Sequence, residues 1–306
     1  DTYLFGAGDG IDTIVDVATQ GEGNRLVLGA GFDAAAARFE RIATEPNELA
    51  LTLGTDQIRL SHFDTQNPFG AHAVDTFQFA DGTTLTYQQL LSRGLDIRGS
   101  ETGADVLQAI DGTNDRLIGL GGDDALIGGI GNATLIGGRG DDSLEGGVGS
   151  DTYVFNLGDG VDVLRDEGTS GDVNRLVFGS GITLADLRLV TNLFDYRLLV
   201  GTNGDAIRFA NLPFGVEDVQ RIEFADGTST TLKDLLPAIV GTAGDAAALT
   251  GRATSDVISG LAGNDLIHGG DGDDTIRGGL GNDTLHGDAG FDTYVFNLGD
   301  GIDTIV

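Results

Sequence analysis

The sequence predicts an all-β fold: flattened parallel solenoid segments alternating with β-rich segments in an elongated tandem array. Three observations carry this expectation. Over residues 251–295 an aspartate recurs every nine residues, at Asp256, Asp265, Asp274, Asp283 and Asp292. Two residues after each stands a large apolar side chain (Ile258, Ile267, Ile276, Leu285, Tyr294), and glycines crowd the four positions before it. The motif that opens the chain, DTYLFGAGDGIDTIV from Asp1, returns from Asp151 and again from Asp292, at spacings of 150 and 141 residues.

The nine-residue period has a physical reading. Six residues of the form G-G-x-G-x-D make a turn, because glycine alone reaches positive φ cheaply. The remaining three make a short strand whose middle side chain points inward, and two such units complete one coil. Stacked turns bring carboxylates and backbone carbonyls together along both edges, where they repel unless a cation sits between them. Calcium, a hard divalent ion that takes six to eight oxygens at about 2.3–2.6 Å, suits that demand. In five in-phase copies the unit resembles the RTX (haemolysin-type calcium-binding) nonapeptide, G-G-x-G-x-D-x-U-x. The resemblance implies a calcium-loaded parallel β-roll.

In chain order, each large repeat begins with D-T-Y, an aliphatic residue and Phe, then a glycine-aspartate turn carrying Asp9 and Asp12, Asp159 and Asp162, or Asp300 and Asp303. This reads as strand, tight turn, strand. The aspartates are either further calcium ligands or polar turn residues. A segment without nonapeptides follows. NRLVLGAGF (24–32) matches NRLVFGSGI (174–182), each a strand ending in a turn. DAAAARFERI (33–42) and TLADLRLV (183–190) read as a short helix feeding a strand. ELALTLG (48–54), YRLLVG (196–201), DQIRLSHF (56–63) and DAIRFANL (205–212) alternate as half-buried strands do. VDTFQFADGTTLT (74–86) and VQRIEFADGTSTT (219–231) are strands followed by Asp-Gly turns. Short helices at 87–91 and 232–236 close the segments, the second stopped by Pro237. These segments resemble the haemolysin-type calcium-binding-related domain found beside RTX arrays. The expected divisions are 1–16, the end of a preceding β-roll; 17–98, a related domain; 99–166, the first array; 167–238, a second related domain; and 239–306, the second array and the start of another repeat.

The RTX pattern implies calcium between turns eighteen residues apart. In the second array that pairs Asp256 with Asp274, Asp274 with Asp292, and Asp265 with Asp283, with carbonyls such as those of Gly260, Gly263, Gly269 and Gly272 completing the shells. The first array carries Asp105 in its lead-in turn, then Asp115, Asp124, Asp142 and Asp151, with Ala133 where the register calls for a further aspartate. Weaker or missing calcium is expected on the edge of Asp115, Ala133 and Asp151, and normal occupancy on that of Asp124 and Asp142. In the second lead-in turn, with Asp245, the large inward residue is missing, so a looser coil is expected there. The ninth position of each unit faces outward: Ile118, Ile127, Ile136 and Glu145 in one array, Ser259, His268, Arg277 and His286 in the other. The isoleucine row suggests a contact surface; the two histidines read as solvated side chains rather than ligands.

Composition narrows the function. The 306-residue chain has a formal net charge of −31 and a single lysine, Lys233, which argues against nucleic-acid binding. With 40 % hydrophobic residues it is not a disordered acidic tail. It has no cysteine, so neither disulfides nor thiolate metal sites staple it. No apolar run approaches a membrane span of about eighteen residues. H-E-x-x-H, G-x-S-x-G and G-x-x-x-x-G-K are all absent, and His62 and His72 near Asp64 and Asp75 read as a polar loop, so an enzyme is not expected within these residues. Matching ends lead us to expect a piece of a longer repetitive polypeptide. Two function classes stand: a calcium-dependent structural segment of a large secreted adhesin or extracellular fibre, self-associating or continuing head to tail, or a secretion and folding module of an RTX enzyme such as a protease, lipase or alginate epimerase. A polysaccharide-binding module working through bridging calcium is a third. The resemblance implies type I secretion by a bacterium and folding outside the cell.

Overall fold

The computed structural model describes all residues except 17–21, 43, 44, 46, 167–170, 193, 194, 211–218, 236–238, 243, 245–247 and 254. Asp245 and Pro237 therefore lie outside the described residues. The chain is nearly all β and winds as a parallel β-solenoid, as the nine-residue period predicts. In the first array each strand pairs in parallel with the strand two units on. Leu117 registers with Leu135 and then Tyr153 on one sheet; Leu107 registers with Leu126 and then Leu144 on the other. These middle residues all point between the sheets and are buried. Alternation requires it: with only three strand residues per unit, just the central side chain faces in.

The same sheets run on through the segments that flank the array. Tyr153 registers with Leu176 and then Ile222, and Leu144 with Leu164 and then Phe209. On the other side Leu117 pairs with Ile97, whose strand Leu95–Arg98 pairs with Phe39–Ile42. The flanking segments are thus wider coils of the same solenoid. Antiparallel additions widen them: Leu49–Leu53 against Asp56–Leu60, and Leu187–Asn192 against Asp195–Val200 against Ala206–Phe209. One hydrophobic core extends from Phe5 to Leu232 through the array. Most of its aromatic residues lie in the wide coils and at the array's end, where Phe155, Phe178 and Phe224 meet in sequence with ring centroids 6.1 and 5.7 Å apart.

The four helical expectations turn out unevenly. The helix Tyr87–Leu91 forms, with Thr86 and Gln89 making a reciprocal capping box, and Lys233–Leu235 and Leu184–Asp186 form single 3-10 turns. Residues 33–37 make only one turn, closed by Ala37 N–H to the Asp33 carbonyl at 2.9 Å. The strand Phe39–Ile42 begins two residues later and leaves no length for a helix.

The second array has its own core of Ile258, Ile267, Ile276 and Leu285, with Ile239, Leu249 and Tyr294 packed against it. Its register repeats that of the first, Ile258 with Ile276 and Tyr294, Leu249 with Ile267 and Leu285. Of the outward isoleucine row, Ile118 is buried while Ile127 and Ile136 are half-buried, so its first member is already covered within the chain. No helix among the described residues is long and apolar enough to cross a membrane.

Truncating one inward residue of the first array tests the shared core. Leu126→Ala is expected to cost about 2–5 kcal/mol, read as a lowered urea midpoint of the calcium-saturated protein. Hydrogen exchange at Ile267, in the other core, should be unchanged.

Candidate calcium edges

Each coil edge is held by a carboxylate ladder. The Asp124 Oδ1 accepts the Asp105 N–H at 2.7 Å, Asp142 that of Asp124 at 2.8 Å, and Asp162 that of Asp142 at 3.1 Å. In the second array one edge runs Asp256, Asp274, Asp292 and the other Asp265, Asp283, Asp303, each oxygen accepting from the aspartate one coil earlier at 2.7–3.0 Å. The structure therefore brings together the three pairs expected there, and Asp162 and Asp303 extend their edges. The opposite edge of the first array departs at Ala133. The Ala133 N–H still donates to Asp151 Oδ1 at 2.7 Å, but alanine offers no oxygen to the Asp115 N–H side of the ladder.

The second carboxylate oxygen decides what these edges can hold. Oδ2 of Asp124, Asp142, Asp151, Asp162 and Asp283 is shielded from solvent and meets no hydrogen-bond donor. An ionised carboxylate oxygen in that state is costly unless a cation or proton reaches it. Burial pushes the Asp142 carboxyl up to about 6, Asp151 up to about 7 and Asp162 up to about 8. Neighbouring carboxylates push the same way, Asp124 and Asp159 on Asp142, Asp166 and Asp172 on Asp151, and Asp142 and Asp159 on Asp162. Burial likewise raises Asp124 and Asp283. A hard divalent cation satisfies this donor set: oxygen only, anionic, desolvated and repeated at each coil.

Glycine makes the cradle. A Cβ on Gly119 would lie 2.2 Å from Asp124 Oδ2 and 2.4 Å from the Gly137 carbonyl oxygen. In the second array the carbonyl oxygens of Gly260, Gly269, Gly263 and Gly272 crowd Gly241, Gly251, Gly281 and Gly290 of adjacent coils in the same way. These four carbonyls therefore line the coil boundaries where the sequence places them.

Other expected ligands are already engaged. Asp105 Oδ2 accepts from Ser100 N–H and hydroxyl, and Asp115 accepts from Leu95 and Ile110 N–H groups. Asp256 is ion-paired with Arg252 and also accepts its N–H. All three sit in the opening coils of their arrays. Asp9, Asp159 and Asp300 close their own turns, accepting from Gly6, Asn156 and Asn297 three residues earlier at 2.7–2.8 Å. Asp12 is exposed in the first coil.

Sequence reasoning missed two sets of residues. Asn174 takes the ladder position in the wide coil, accepting the Asp151 N–H at 2.8 Å, and Asn24 stands at the matching place. The signal was there in the shared N-R-L-V, read only as a strand. A second ladder also runs the other way, from the residue just before each position of the first. Asn132 N–H donates to Asn114 Oδ1 at 3.1 Å, Asp141 to Asp123 at 2.9 Å, and Asn282 to Asn264 at 2.8 Å. In the loop read as merely polar, His72 stacks on Tyr87 at 4.1 Å and lies 3.3 Å from Asp75.

Comparisons with known proteins find two family matches. The RTX calcium-binding nonapeptide repeat (4 copies) matches residues 101–135, 127–162, 250–285, 259–294 and 269–305. The haemolysin-type calcium binding protein related domain matches residues 48–89, within the first of the two flanking segments. No curated protein matches significantly. Among solved structures, the crystal structure of extracellular lipase LipA from Serratia marcescens is similar at 21 % identity with a TM-score of 0.35. The match covers 68 % of this chain and 33 % of the lipase chain.

Two outcomes are expected. Gly119→Ala should destabilise the calcium-saturated protein by about 1–3 kcal/mol, as overpacking does, measured by urea unfolding. The second concerns pH in demetallated protein. The carboxyls of Asp142, Asp151 and Asp162 stand above their unfolded value, so their neutral forms stabilise the metal-free fold at low pH. That contribution is lost as pH rises through about 6 to about 8. Far-ultraviolet circular dichroism in calcium-free buffer should therefore show more β structure near about pH 5 than near about pH 8.5.

Proposed function

Because the chain is an RTX calcium-binding nonapeptide-repeat protein, we propose that it is a calcium-dependent structural segment of a large secreted or cell-surface protein, an adhesin stalk or extracellular fibre. The observation that carries this reading is the uninterrupted core from Phe5 to Leu232, in which the flanking coils and the array are one solenoid. A module that only had to signal secretion would need no such continuity between array and flanks. Stiffness and length follow directly from stacking coils, each contributing its own stability and an interface with the next.

Calcium would be held at the coil boundaries. Asp124, Asp142 and Asp162 supply one edge of the first array, and Asp265, Asp283 and Asp303, with Asp274 and Asp292, supply those of the second. When bound, the ion neutralises carboxylates that the coil itself buries. The chain's part is to pre-position them: Oδ1 fixed by an N–H of the preceding coil, Oδ2 turned into the glycine cradle. At low calcium a net charge of −31 opposes compaction. Extracellular calcium sites with dissociation constants of about 10⁻⁴–10⁻³ M fill only outside the cell, which couples folding to export. No catalytic role is assigned to the chain.

Calcium titration followed by circular dichroism tests this reading. At neutral pH the protein should lack a β spectrum in excess chelator and gain one in millimolar calcium; a full β spectrum in chelator overturns the proposal. Negative-stain images should show elongated particles only with calcium. The Ala133 edge gives a second measurement. Ala133→Asp restores a carboxylate at a buried ladder position whose own N–H already meets Asp151. Calcium stoichiometry by calorimetry should rise, and the folding midpoint should move to lower calcium.

A further inference from the structure

We propose that the outer face of the second array carries a separate site for a borderline divalent transition metal, zinc in the first instance, formed by His268, His286 and Asp288. The two histidines end the parallel strands Leu266–His268 and Thr284–His286 and are register partners. Neighbouring strands hold their rings face to face, with centroids 4.3 Å apart and planes 10° from parallel. Asp288 follows two residues after His286 and reaches back one coil, placing Oδ2 3.2 Å from His268 Nδ1. One ligand atom from each residue lies within 4.8 Å of the others, and no other such group of metal-ligating side chains occurs among the described residues. A tetrahedral zinc with bonds of about 2.0–2.1 Å needs its ligand atoms roughly 3.4 Å apart. Modest side-chain rotation closes that difference, and both histidines are only half-buried, leaving room for it.

The donor set sorts this site from the coil edges. Two imidazole nitrogens favour zinc, nickel or copper, whereas calcium takes oxygen ligands. Asp288 stands at a unit position that takes a left-handed φ throughout, +64° here, +78° at Leu261, and +99° and +103° at Gly270 and Gly279. The first array is an internal control: Ile127, Glu145 and Gly147 occupy the matching positions, with no nitrogen donor among them. The site thus distinguishes two otherwise parallel arrays. Three protein ligands leave a fourth position for water or a side chain of another molecule.

The site rests on the calcium-folded second array, so zinc is titrated calorimetrically into the full chain in saturating calcium. One zinc per chain is expected. His268→Gln and His286→Gln should each weaken it by at least about tenfold, the scale of losing even an outer-shell partner, and Asp288→Asn by about tenfold. His62→Gln, in the first flanking segment, should leave it unchanged. The calcium-induced β spectrum of each variant separates loss of the zinc site from loss of the array. Absence of saturable zinc binding in the wild type overturns the proposal, as does unchanged binding in the His268→Gln, His286→Gln double variant. Where a variant fails to fold, cobalt in the wild-type protein decides: intense visible bands of a tetrahedral nitrogen-bound ion support the site, and the weak spectrum of an octahedral oxygen-bound ion refutes it.

Discussion

The structure depends on one hydrogen bond repeated along the coil edges, from the N–H of a turn aspartate to the carboxylate of the aspartate a coil later. It fixes three things at once. It sets the spacing between coils, because Asp142 and Asp283 reach the N–H groups of Asp124 and Asp265 at 2.8 Å. It sets the register of both sheets, since the inward residue stands two positions beyond each aspartate and must follow it. It also aims the remaining oxygen into the turn, where only a glycine hydrogen can face it.

That constraint explains the composition. Stacking carboxylates one per coil on two edges makes the chain acidic, and glycine is required wherever a carbonyl or carboxylate of the next coil closes in. Gly140 shows the second requirement: φ is +136°, and a Cβ there would lie 2.1 Å from the Gly122 carbonyl oxygen. The apolar contribution per unit is only one inward side chain, so an array is thin by itself. The wide coils on either side thicken it with aromatic residues, and the Tyr153 hydroxyl, bonded to Asp166 Oδ2 at 2.5 Å, ties the last nonapeptide strand to the first wide coil.

The periodic parts of this chain were legible and the aperiodic parts were not, for a physical reason. Where one side chain per nine residues faces in, period alone gives coil, register and edge, and the pairs Asp256 with Asp274 and Asp265 with Asp283 follow by counting. In the wide coils the separation between ladder partners stretches from 18 residues, Ala133 to Asp151, to 23 residues, Asp151 to Asn174. No count reveals that, so Asn174 looked like the start of a strand. The engaged carboxylates were hidden for another reason: Asp115 and Asp256 carry the repeat signature, but their partners Leu95, Ile110 and Arg252 sit at positions the repeat signature does not specify. The reverse ladder was hidden by tolerance, since Asn, Asp and Ser all accept a hydrogen bond equally well at its positions. His268 and His286 read as solvated side chains because Asp288 joins them only once the turn folds back.

The exceptions separate geometry from charge. At Ala133 the ladder loses an acceptor and the coil keeps its place; at Asn174 it keeps an acceptor without charge and the sheets run on unbroken. Reverse-ladder bonds such as Asn132 to Asn114 and Ser150 to Asn132 hold that same edge with neutral side chains. The coil boundary can therefore be shaped by hydrogen bonds alone. What hydrogen bonds cannot do is neutralise the second oxygens of Asp124, Asp142 and Asp162, which lie buried along one edge. A cation on that edge has charge to balance rather than a shape to impose. On the Ala133 and Asn174 edge the chain has already removed part of that charge, so the two edges of one array differ in how much they ask of a metal.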